Sequence, residues 1–97
     1  MLACVRALAE SGGGFVVASA GEVRAQLPLP FAGLLSLDSA EAVCHQLQEV
    51  TQAARALGCG LPSPFGTLSF LALPVIPEIR ITTRGLFDVL DQRFISL

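Results

Sequence analysis

Adjacent Cys44 and His45 are the one pairing in this 97-residue chain that suggests nucleophilic catalysis. A thiol becomes a nucleophile when an imidazole lies within hydrogen-bond reach. The surrounding pattern is helical, however, and neighbours on a helix diverge by about 100° around its axis, so these two side chains do not face each other. Cys44 flanks the apolar stripe of that helix and reads as a small core residue. His45 falls about 200° from Val43 and reads as a solvated surface group. It is also the chain's single histidine, whereas a catalytic zinc or a binuclear centre needs several converging ligands. Cys4, Cys44 and Cys59 are an odd number without CxxC spacing, which argues against both a disulfide framework and a zinc knuckle. Cys59 lies just past a helix C-terminus, where the local dipole disfavours a thiolate.

Two further constellations invite a chemical reading. Gly12-Gly13-Gly14 resembles a phosphate cradle in composition, but it follows a helix and leads into a strand. Phosphate sites use the amides at a helix's beginning, so a helix stop is the better account. Asp88 and Asp91 can lie near each other, yet nothing beside them supplies the apolar pocket that splits the pKa values of a catalytic pair. The sequence presents no self-sufficient active site.

Composition explains what the chain has instead. Hydrophobic residues make up 53% and charged residues 14%, with a formal net charge of −2. That excludes intrinsic disorder and leaves no electrostatic footprint for nucleic acid. At this length a single domain is expected over 1–97, and a complete catalytic barrel of about 250 residues is excluded. A domain this small has too little volume to hide so many apolar side chains, so some are expected on an exposed docking patch. No run is long enough to span a membrane, since Leu68 to Ile76 is short and contains Pro74. Arg6 and Glu10 interrupt any signal-peptide pattern ahead of Ala18-Ser19-Ala20. Reduced, buried thiols and a cytoplasmic location follow.

The elements read as a small α+β fold, a mixed and largely antiparallel sheet packed against two or three helices. Leu2, Val5, Leu8 and Ala9 are at helical spacing before the glycine stop. Phe15–Ala18 and Val23–Leu27 read as a hairpin around Ala20-Gly21-Glu22, ended by Pro28 and Pro30. Ala40, Val43, Leu47, Val50, Ala54 and Leu57 form one helical stripe, opened by Asp38 and Glu41 at capping-box spacing and closed by Gly58. Ser63 caps a short helix with Pro64 first, carrying Phe65, Leu68, Leu71 and Ala72 inward, while a strand over Thr67–Leu73 is the competing reading. Pro74 and Pro77 bracket an extended Val75-Ile76. Ile79–Thr82 and Leu86–Val89 read as strands about a turn at Thr83–Gly85, with Phe94–Leu97 a last edge strand.

One stretch is too particular to be generic: Gly58 to Val89 reads GCGLPSPFGTLSFLALPVIPEIRITTRGLFDV. With Gly12–Val17 and Leu27–Leu34 (LPLPFAGL), it resembles the C-terminal part of bacterial adenine deaminases, over nearly the whole chain. Leu35 and Gly66 depart from the family pattern, which often has methionine there. The resemblance implies a metal-dependent amidohydrolase of purine salvage that converts adenine and water to hypoxanthine and ammonia. It also implies that the chemistry, with two divalent metal ions, resides in an upstream TIM-like barrel whose ligand motifs do not occur in this chain. No catalytic, metal-binding or cofactor-binding residue is transferred to it, and the chain alone is expected to be inactive.

Such a tail module is expected to meet a catalytic amidohydrolase barrel in cis or a sister subunit, and homo-oligomer contacts fit equally. Within Pro64–Pro77, Phe65, Phe70, Val75 and Ile76 are the candidate docking face, and the same four residues also read as this domain's own core. An independent small binding or oligomerisation protein derived from such a tail is the alternative. The family tends to carry a methionine near this point of the first helix, which favours Met1 as an internal residue and hence the tail module. Purine binding by the chain itself has little support, because only Phe residues could stack.

Overall fold

The computed structural model describes residues 1–96 as three helices and five strands in two compact units, Met1–Pro62 and Ser63 onward. The α+β class and the antiparallel pairing are as expected, but the strands divide between two sheets, β1-β2 and β3-β4-β5, rather than joining in one.

In the first unit α1 (Leu2–Ser11) ends where Gly12 adopts the left-handed conformation. The helix is rotated from the apolar spacing. Cys4, Ala7, Leu8 and Ser11 are half-buried, while Leu2, Val5 and Ala9 are exposed. A side-chain bond from the neighbouring strand fits this rotation, and a second closes the helix's own last turn. The Ser11 hydroxyl donates back to the Ala7 carbonyl at 2.9 Å, and Gln26 Nε2 of the neighbouring strand donates to the same oxygen at 3.3 Å.

Strands β1 (Gly14–Ser19) and β2 (Glu22–Pro28) form the expected hairpin, with a register shift between Val17 and Ala18. Pro28 does not stop the pairing outright. It sits opposite Gly14, and Leu29 N–H still donates to the Gly13 carbonyl at 3.0 Å. Since Leu29 makes the bond facing β1, its neighbour Pro28 stands where its missing N–H points away from the partner, a position that tolerates proline. Val17, Leu27 and Leu29 are buried here.

Helix α2 (Ala40–Ala56) packs on both strands of this hairpin, and Val50 is its one fully buried residue. Val43, Gln46, Ala53 and Ala54 are half-buried around it. Cys44, read from sequence as a core residue, is exposed. It lies about 120° round the helix from Val50, outside the packed sector. The cap also differs from expectation. Ser39, not Asp38, is the N-cap, in an extended conformation with its hydroxyl accepting from Ala42 N–H at 3.2 Å. Asp38 is one residue too early, and its own N–H donates to the Ser36 hydroxyl at 3.1 Å. Glu41 then falls in the first turn, where a negative charge complements the helix dipole. Ser39→Ala is therefore expected to cost about 1 kcal/mol, and Asp38→Asn less than about 0.5 kcal/mol, as read by urea denaturation. Equal effects at the two positions would contradict this assignment.

In the second unit the segment open to two readings is a helix, α3 (Pro64–Phe70), with Pro64 in its first turn and Thr67 Oγ1 donating to the Ser63 carbonyl at 2.9 Å. Ser63 is the N-cap by position but makes no side-chain cap bond. Only Pro64 and Phe65 are buried; Leu68, Leu71 and Ala72, expected to point inward, are exposed. The helix is two turns long, so Leu71 and Ala72 lie beyond its last helical residue and no continuous stripe can form. At Gly66 an added Cβ would meet the Ser63 side chain, with the hydroxyl oxygen nearest at 2.8 Å.

Strands β3 (Ile79–Thr82), β4 (Gly85–Asp88) and β5 (Arg93–Ile95) make an antiparallel meander. The last strand is shorter than the expected Phe94–Leu97, and Leu97 lies outside the described residues. Cross-strand rows alternate between faces. Arg80, Phe87 and Phe94 share one face, where the two rings meet edge-on at 5.2 Å and Arg84 lies 4.8 Å over Phe94. Ile81, Leu86 and Ile95 line the other. Arg80 also ties the proline segment to the sheet, with Nε donating to the Ile76 carbonyl at 2.6 Å and Nη2 to that of Pro77.

Candidate functional site

Several of the residues with chemical promise have structural roles instead, while Cys44 is an exposed free thiol. Gly12 and Gly13 both direct their N–H groups to the Leu8 carbonyl, so these amides close a helix rather than face a phosphate. Asp88 Oδ1 accepts from Leu90 N–H at 3.0 Å and Asp91 N–H at 3.1 Å, which shapes the β4–β5 turn. Asp91 in turn lies 3.1 Å from Arg93. The two carboxylates are thus divided between a turn and a surface ion pair. His45 is exposed and lies 3.7 Å from Glu49 one helical turn on. Cys4 and Cys59 are half-buried, and none of the three cysteines is in a disulfide.

Among the described residues no three His, Cys, Asp or Glu side chains come together as a metal site. Among the same described residues no helix is long and apolar enough to cross a membrane. An open groove of about 460 Å³ runs between β2 and α2, lined by Arg24, Ala25, Glu49, Gln52, Ala53 and Ala56. It offers one cation and one carboxylate, and Arg24 is shared with Glu22 at 3.8 Å. This groove holds no nucleophile and no acid–base pair.

The conspicuous property is exposed apolar area. Among the described residues twenty large apolar side chains are exposed against six buried apolar ones, more than single scattered exposures. The candidate docking residues divide. Phe65 is buried, Ile76 is half-buried, and Phe70 and Val75 are 54 and 77% exposed. Leu68, Leu71 and Leu73 add to the exposed apolar area of the same segment. A second concentration lies in the first unit, where Phe31, Leu34, Leu35 and Leu37 follow β2. Sequence reasoning did not single these out as a docking surface. Their signal was the uncharged run from Ala25 to Leu37.

Fold and surface together define a small α+β domain that leaves many of its large apolar side chains exposed. Residues 1–93 match the adenine deaminase C-terminal domain, and the chain belongs to that family. It is 58% identical over 84 residues to an adenine deaminase of Deinococcus deserti, covering 87% of this chain and 15% of that protein. Identity is 45% over 97 residues to an adenine deaminase of Shewanella halifaxensis, covering all of this chain and 16% of the relative. It is 52% over 95 residues to one of Archaeoglobus fulgidus, covering 98 and 17%. The chain thus spans 15 to 17% of the length of these relatives.

Proposed function

We propose that this chain is the non-catalytic C-terminal module of an adenine deaminase. It packs against the catalytic domain of the same polypeptide, or against a sister subunit, through apolar side chains that include the exposed Phe70 and Val75 and the half-buried Ile76. The supporting observation is the surplus of exposed apolar surface on a chain that matches only the C-terminal domain of much longer relatives. In the parent reaction water displaces ammonia from adenine to give hypoxanthine, with two divalent ions held by the catalytic barrel. The described residues of this chain form no cluster to hold those ions, so no step of the reaction is assigned to them. Reduced cysteines and a cytoplasmic setting belong to the same reading.

Burying one large apolar side chain contributes roughly 1.5–3 kcal/mol, so a few of them hold an interface after its entropic cost. The test uses the Deinococcus deserti adenine deaminase from which the segment matching this chain has been removed. This chain alone is expected to form no hypoxanthine. Supplied in trans, it is expected to bind the shortened enzyme and raise its activity or thermal stability. Turnover of adenine by the isolated chain would overturn the non-catalytic assignment. A shortened enzyme with full activity and no binding would overturn the supporting role and favour an independent binding protein.

A further inference from the structure

The loop after β2 is built as a fixed apolar knob rather than a slack connection. Phe31 N–H donates to the Leu35 carbonyl at 3.2 Å, and the Phe31 carbonyl accepts from Leu34 and Leu35 at 2.9 and 3.2 Å. Gly33 N–H donates to the Leu29 carbonyl at 3.1 Å. The loop is also pressed against the end of α1: a Cβ on Gly13 would lie 2.6 Å from Gly33 Cα. On this fixed backbone Phe31, Leu34, Leu35 and Leu37 are 51, 76, 66 and 82% exposed. No charged residue occurs from Ala25 to Leu37.

We infer that this Phe31–Leu37 knob is a second anchoring point, seated on an uncharged apolar surface of the catalytic domain of the same polypeptide. The inference rests on the reading of the chain as an adenine deaminase tail module. Three observations select this occupant. A pre-ordered loop loses little conformational freedom on docking, so it suits a contact made once and kept. The lack of charge matches neither nucleic acid nor an anionic lipid surface. Four side chains bury on the order of a few hundred Å², well short of the roughly 800 Å² per partner of a stable independent complex. A second copy of the chain would need more area than the knob offers. A domain joined through the chain needs less, because linkage supplies an effective concentration near the millimolar range. The relatives provide such a domain, since 83 to 85% of their length lies outside the part matched by this chain.

The experiment grafts this chain into the Deinococcus deserti adenine deaminase in place of the segment it matches. Amide hydrogen exchange in the chimera is then compared with exchange in the 97-residue chain. Exchange across residues 31–37 is expected to be at least about tenfold slower in the chimera. The double substitution Phe31→Ser with Leu34→Ser is expected to restore fast exchange there, while protection of α2 and the melting temperature of the isolated chain stay unchanged. If slowing is confined to residues 70–76, the knob is not an anchor, and the proposed tail-module role survives. Should neither segment slow, both readings fall together. Slowing at 31–37 in the isolated chain that rises with its concentration would mark a self-association face and overturn the inference.

Discussion

Replacing Gly14 with alanine is expected to prevent the Met1–Pro62 unit from reaching its cooperative fold. Gly14 opens β1 with φ of 131°, a region open to glycine and strained for any L side chain. Space makes the demand stricter than conformation does. A Cβ there would lie 2.1 Å from the Leu27 carbonyl oxygen and 2.9 Å from Leu29 N, both backbone atoms. Neither can rotate aside, and Leu27 and Leu29 are themselves buried, so relief has to come from moving β2 away from β1. The expected cost is about 4 kcal/mol or more, in the range reserved for backbone strain combined with core disruption. A domain of this size sits near the low end of the roughly 5–15 kcal/mol stability range. Far-UV circular dichroism and urea titration read the outcome. Gly21→Ala is the matched control. Its φ is also positive, at 82°, but no atom lies within 4 Å of the added Cβ, so about 1–2 kcal/mol is expected. A Gly14→Ala protein as stable as the Gly21→Ala protein would show that β1 and β2 are not held this closely.

How much of this was legible in the sequence depends on which force decided each element. The β1–β2 hairpin and β3–β4 were readable because alternation and turn residues are local signals. Helix α2 was readable from its period, but its orientation was not. Its half-buried sector includes Gln46, whose Oε1 atom is buried without a hydrogen-bond partner among the described residues. A pattern that counts only apolar residues omits Gln46 and favours Leu47, which is 40% exposed. The Ser39 cap stands a single residue from the Asp38 reading, because both residue types cap well and the sequence does not mark which of the two precedes the first helical residue. Both carboxylates near the end of the chain read as a potential pair, and the Asx turn at Asp88 becomes visible only in three dimensions.

The candidate surface was legible as a quantity and less so as a place. Composition required that apolar area remain uncovered, and it does. It could not say which side chains were left out, because that depends on where each short element ends. Phe65 is buried in the first turn of α3, while Phe70, five residues later, is exposed at its end. The family resemblance was carried by continuous stretches, Gly12–Val17, Leu27–Leu34 and Gly58–Val89, whose glycines and prolines set backbone paths. Those residues say how the chain runs, and only the packed structure says which face it presents.

Leu27→Ala is the second large effect, and it tests where the core of the first unit lies. Leu27 is 2% exposed on β2, the strand against which α1, α2 and β1 all pack. Val50, fully buried on α2, is the other large side chain with so little exposure among the described residues. Removing the three outer carbons of the side chain leaves a cavity on a strand that three elements pack against, and its collapse is opposed by the close backbone pairing at Gly14. A loss of about 2–5 kcal/mol is expected, the upper part applying where surrounding atoms cannot relax. Leu47→Ala deletes the same atoms from a position in the sequence-defined stripe that is 40% exposed, and is expected to cost less than about 1 kcal/mol. Urea titrations of the two variants against the unmodified chain separate the possibilities, since the ratio is insensitive to errors common to both extrapolations. Equal losses would place α2 with its Leu47 side inward, as the apolar stripe alone suggested. A several-fold larger loss at Leu27 would confirm a core centred on Leu27 and Val50, with the outer leucines left free for a partner.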